Sequence, residues 1–236
     1  MAKYMTKPAF TVGLLVMLMS LPAFGAINKS VTVGDGEEVS KASSVNGSVT
    51  VGDNAIVNGK VSTVNGSIKV GDGARVKLVK TTNGSLRLSE RVEAAELKTT
   101  NGKILVGNGS SIRGDVGTTN GSIELDDGCT VGGALRNTNG DIELEGSEVA
   151  GDVSTVNGDV EIYQTVLKSD LVVRKPGGWN MSKRKPRVVI GPGSRVEGDL
   201  VLERKVELFI SDTAEVGGVT GVMSMDDAQR FSGNKP

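Results

Sequence analysis

Short alternations of apolar and polar residues return along the chain at a fixed interval. They are Ser48-Val49-Thr50-Val51, Ser67-Ile68-Lys69-Val70, Ser85-Leu86-Arg87-Leu88, Ser122-Ile123-Glu124-Leu125, Asp141-Ile142-Glu143-Leu144 and Asp159-Val160-Glu161-Ile162. The second and fourth residues are apolar each time, which marks a strand with one buried face. Asn-Gly stands just before, at Asn46, Asn65, Asn83, Asn101, Asn120, Asn139 and Asn157, with intervals of 19, 18, 18, 19, 19 and 18 residues.

A second corner follows each strand, as in Gly34-Asp35-Gly36, Gly52-Asp53-Asn54, Gly71-Asp72-Gly73 and Gly107-Asn108-Gly109. Gly, Asn and Asp tolerate the positive φ that tight corners need. Another apolar position comes next (Val39, Ile56, Val76, Ile112, Val131), and several coils carry a third side such as Gly114-Asp115-Val116. One such turn of chain cannot bury its own apolar side, whereas stacked turns share a continuous interior. Antiparallel hairpins would need matched strands on both sides of every Asn-Gly, and a second glycine corner stands there. The expected fold is therefore all-β: a single-stranded parallel β-helix of about ten coils of 18–19 residues, with a right-handed coil expected.

The ends change the picture. Lys3 and Lys7 precede an apolar run from Phe10 to Leu21, and Ala23-Phe24-Gly25 offers the small residues that a signal peptidase reads. The run is too short to span a bilayer. Residues 1–25 are expected to be a cleaved signal peptide, 26–222 the solenoid, and 223–236 a polar tail or short helical cap. The protein is then exported to the periplasm, the cell surface or the medium. Losing two of 27 basic residues leaves 25 against 28 acids, too balanced to favour nucleic acid. There is one Cys, Cys129, so no internal disulfide can form, and there are only seven aromatics (one Trp, two Tyr, four Phe).

The repeats Thr-Thr-Asn-Gly-Ser-Ile and Thr-Val-Asn-Gly-Asp-Val resemble the adhesin-like β-solenoid domains secreted by bacteria. The segments Val-x-Gly-Asp-Leu and Val-Ile-Gly-Pro-Gly-Ser-Arg-Val are similar to bactofilins, the polymer-forming β-helical scaffold proteins. The likeness covers about residues 28–222. It implies a non-catalytic envelope scaffold or surface-binding role, with self-association end to end, and transfers no catalytic residue. The cleavable leader departs from the bactofilin pattern.

Stacked corners should place the Asn side chains about 4.8 Å apart, within reach of amide–amide hydrogen bonds. The threonines beside them could form an outward flat array, which Lys80, Lys98 and Arg136 would interrupt. On the main strand the outward position runs Thr50, Lys69, Arg87, Leu105, Glu124, Glu143, Glu161, basic at one end and acidic at the other. Glu124, Asp141, Glu143, Asp159 and Glu161 are candidate ligands for weakly bound Ca²⁺, the one cofactor these residues suggest. The same face could meet another rod. Read as catalytic carboxylates, these residues would instead suit a polysaccharide lyase or hydrolase. The repeat breaks at 174–187, a loop with Arg174, Lys175, Lys183, Arg184, Lys185, Arg187 and the only Trp, Trp179, and no acid. Such a loop suits an anionic lipid, an acidic polysaccharide or a partner protein of the envelope.

Overall fold

The computed structural model describes residues 21–177 and 184–236. Most of the expected leader (residues 1–20), Trp179 and Lys183 lie outside the described residues. The chain is a parallel β-solenoid of three faces. The first face is an eleven-stranded parallel sheet. It runs from Val31–Val33 through Val49–Val51, Ile68–Val70, Leu86–Leu88, Ile104–Val106, Ile123–Leu125, Ile142–Glu145, Val160–Tyr163, Arg187–Ile190 and Glu207–Ser211 to Gln229–Phe231. The second face holds two-residue strands such as Arg75–Val76, and the third holds strands such as Leu78–Lys80. Near the C-terminal end, Arg195–Leu202 and Glu215–Gly221 each pass through both of these faces, with a register shift between Val196 and Asp199.

The interior is built from columns of identical role. Val49, Ile68, Leu86, Ile104, Ile123, Ile142, Val160 and Val188 stack in register, each fully buried. The alternation seen in the sequence thus becomes a dry aliphatic rod, and shared burial between neighbouring coils is what stabilises each one.

The two corners use their small residues differently. After each main strand one residue per coil takes positive φ: Gly36 (63°), Gly73 (64°) and Gly109 (65°), but also Asn54 (55°), Arg91 (53°) and Gln164 (49°). In the Asn-Gly corner the demand is steric. A Cβ on Gly84 would lie 2.0 Å from the Gly66 carbonyl oxygen of the coil below, so glycine is required by close approach of stacked backbones.

Of the two positions before each Asn-Gly, only the second, as in Thr100 and Thr119, stays exposed for an outward array, and the first turns inward. Thr63, Thr81, Thr99 and Thr118 are buried. Their hydroxyls donate to the carbonyls of Gly47 (2.7 Å), Gly66 (2.9 Å), Gly84 (3.0 Å) and Gly102 (3.1 Å) in the preceding coil. Those carbonyls have turned out of the sheet ladder, and a buried acceptor needs a partner.

Both ends extend the stack beyond the ten coils expected. Ala23–Gly25 pairs in parallel with Lys41–Ser43, so residues assigned to the leader form a rung of the third face. At the other end Ser224 caps a single 3-10 turn, Met225–Asp227, in place of a helix reaching Phe231. The chain then adds Gln229–Phe231 as the eleventh rung of the first face. Met223, Met225 and Ala228 lie against the end of the core.

Candidate functional site

The outward central position of the first face forms one column in strict register. It reads Thr32, Thr50, Lys69, Arg87, Leu105, Glu124, Glu143, Glu161, Val189, Phe209 and Gln229. Adjacent members sit about 4.8 Å apart, as parallel strands dictate. The neighbouring position carries Asp141 and Asp159, so the structure gathers all five acids of the sequence reading on one patch.

The basic loop returns to that patch. Arg184 pairs with the Asp159 carboxylate, whose other oxygen accepts the Arg187 N–H at 2.8 Å. The Arg187 guanidinium reaches Glu161 at 3.5 Å and lies 5.1 Å from the Phe209 ring centroid. At the other end of the patch Lys103 meets Glu124 at 3.1 Å. Two of the loop's cations are therefore engaged by the acids. Arg174 and Lys185 are exposed, and the Lys175 amide donates to Glu203 at 3.1 Å. Among the described residues Glu143 makes no ion pair.

A groove of about 450 Å³ lies along this patch, lined by Glu124, Glu143, Glu145, Glu161, Tyr163 and the tail residues Asn234 and Lys235, among others. The Lys235 ammonium stands 5.6 Å from the Tyr163 ring centroid. Burial, with Glu124, Glu161 and Asp141 adding repulsion, raises the Glu143 carboxyl above its ordinary value. Burial and the Glu161 carboxylate beside it push the Tyr163 phenol up to about 12, and the phenol donates to Glu161 at 3.2 Å. The hydrogen bond and charge of Glu124 raise the Lys103 ammonium. Among the described residues no group of three or more His, Cys, Asp or Glu is placed to hold a metal ion.

The Asn-Gly corner carries a continuous amide ladder. Each Nδ2 donates to the Oδ1 of the coil before it, from Asn46 onto Asn28 (2.9 Å) up to Asn157 onto Asn139 (2.9 Å). Arg204 closes the ladder, donating to Asn157 Oδ1 at 3.1 Å and to the Val156 carbonyl at 3.0 Å. It also donates to the Arg184 carbonyl at 2.7 Å, so one guanidinium joins the ladder to the loop. Cys129 is buried, and its thiol donates to the Gly107 carbonyl at 3.2 Å. Burial raises its pKa, as suits a space-filling residue rather than a nucleophile.

Sequence reading missed Tyr163, Lys235 and Arg204. Tyr163 was legible as the residue just beyond the Val160-Glu161-Ile162 strand, on the side where the groove forms. The other two come to the site across an insertion and from the tail, where no period predicts a neighbour. No known family model, curated protein or solved structure matches this chain. The functional reading accordingly rests on the fold and on this face.

Proposed function

We propose that this protein is an exported, non-catalytic scaffold or adhesin-like binding protein of the bacterial cell envelope. The observation that carries the reading is the first face itself. Eleven parallel rungs over an aliphatic interior carry a column that is charged on five of them, Lys69, Arg87, Glu124, Glu143 and Glu161, at fixed spacing, with a basic loop at its acidic end. A rigid rod of this kind presents ligands without moving. Arg174 and Lys185 leave the loop cationic after Arg184 and Arg187 have met the acids, which suits an anionic lipid, an acidic polysaccharide or an acidic protein surface. End-to-end association of such rods belongs to the same proposal.

The test is co-sedimentation of the purified protein with envelope fractions and with anionic vesicles. We expect binding that weakens when Arg174, Lys175, Lys183 and Lys185 are replaced by Gln. Arg184 and Arg187 are kept, because they pair with Asp159 and Glu161 on the first face. Binding that is absent, or unchanged in the variant, would refute the reading.

The groove over Glu143 favours a second reading, a polysaccharide lyase or hydrolase. Carboxylates on adjacent rungs, about 4.8 Å apart, approach the spacing of retaining glycosidases, and Glu143 holds its proton more tightly than an ordinary carboxyl. Release of reducing ends or unsaturated sugars from envelope polysaccharide, lost in Glu143→Gln, would establish it over the scaffold.

A further inference from the structure

The first face carries its own complement. Lys69 and Arg87 stand two rungs and one rung before Leu105, and Glu124 and Glu143 stand one and two rungs after it. All five project outward from one column. Lys69, Arg87 and Glu143 are exposed and, among the described residues, have no ion-pair partner in their own chain. Leu105, half-buried, is the one apolar side chain in the charged stretch of the column.

We propose that two copies of this protein pair side by side and antiparallel through this face, on a two-fold axis that passes at Leu105. Rotation about an axis lying in the face and along the strand keeps each column opposite itself and reverses its direction. Lys69 then faces Glu143 of the second copy, Arg87 faces Glu124, and both contacts occur twice. Leu105 meets its symmetry mate at the centre, where an apolar contact needs no charge partner. The groove over Glu143 provides a recess for the incoming lysine. A parallel side-by-side pair would set Lys69 on Lys69 and Glu143 on Glu143, and like charges at contact oppose it. Charge thus selects orientation, the usual work of electrostatic complementarity at an interface. The contact is one strand wide and rimmed by water, so the pair is expected to be weak and to loosen as salt screens it.

This goes beyond the scaffold reading and uses different residues from its loop. Loss of pairing with loop-dependent binding intact would sink the dimer alone, and the reverse result would sink the loop alone. The experiment is sedimentation velocity on the protein purified after export, over a concentration series at low and high salt. We expect a monomer–dimer equilibrium at low salt. The double variants Lys69→Glu/Arg87→Glu and Glu124→Lys/Glu143→Lys should each raise the dimer dissociation constant about a hundredfold, since four attractive contacts become repulsive. Mixing the two variants restores all four attractions and should return the dimer, which also shows that both variants are folded. For orientation, Leu105→Cys should form an intermolecular disulfide under mild oxidation, whereas Thr50→Cys, far from its mate in the antiparallel pair, should not. A monomer at every concentration, no rescue on mixing, or ready cross-linking through position 50 would each overturn the proposal.

Discussion

The buried threonine column makes a sharp prediction at the coil where it is interrupted. In four coils a threonine hydroxyl satisfies the glycine carbonyl below it. At the fifth, Asn137 takes the position, 5% exposed, and its Nδ2 donates to Gly121 (2.9 Å) and Gly140 (2.7 Å). Its Oδ1 is buried with no hydrogen-bond partner. Replacing Asn137 by Thr removes that stranded oxygen, which costs about 1–3 kcal/mol, and keeps the donor to Gly121. It gives up the bond to Gly140 and leaves that carbonyl without a donor, which costs about 1–3 kcal/mol in turn. The two effects offset each other, so Asn137→Thr is expected to match the parent to within about 1 kcal/mol, or about 3 °C in melting temperature for a domain of this size. Asn137→Val fills similar space without a donor and leaves two carbonyls unsatisfied, so it should be less stable than the parent by about 1–3 kcal/mol. Urea unfolding followed by circular dichroism reads both, as midpoint shifts at constant slope. If Asn137→Thr is no more stable than Asn137→Val, or Asn137→Val is as stable as the parent, the hydroxyl-to-carbonyl account of this column is wrong.

Four further outcomes follow from the same geometry. Gly84→Ala forces a Cβ against the Gly66 carbonyl and should cost about 3 kcal/mol, while Arg91→Gly relieves a left-handed residue and should gain about 0.5–1 kcal/mol; thermal melts compare them. Because the Glu143 carboxyl is raised in the fold, the native state holds its proton where the unfolded chain has lost it. Stability is then lost as pH rises from the ordinary carboxylate range to the raised value. Glu143→Gln should therefore match the parent below that window and exceed it above, which urea unfolding in dilute solution at several pH values would show. Tyr163 is the only tyrosine besides Tyr4, so absorbance titration of a Tyr4→Phe variant should ionise one phenol near 12; a midpoint near 10 would contradict its burial beside Glu161.

The sequence by itself determined the stack. A period of 18 or 19 residues states that each residue's neighbour is its equivalent one coil away, and that rule already contains the Val49–Ile68–Leu86–Ile104 column, the asparagine ladder and the outward series from Lys69 to Glu161. It also marked the αL corner wherever glycine or asparagine stood there, but not at Arg91 or Gln164, whose side chains conceal the backbone they adopt. What only the tertiary structure decided lies where the period fails. Arg184 and Arg187 return to Asp159 and Glu161, Arg204 closes the ladder, and the tail contributes a last rung and Lys235. These contacts join residues across an insertion or from the chain end, where no repeat fixes which atoms meet. Direction within a coil was equally hidden. Both threonines of Thr81-Thr82 read alike in sequence, and only the backbone's turn at the corner sends the first inward to a carbonyl and leaves the second on the outside.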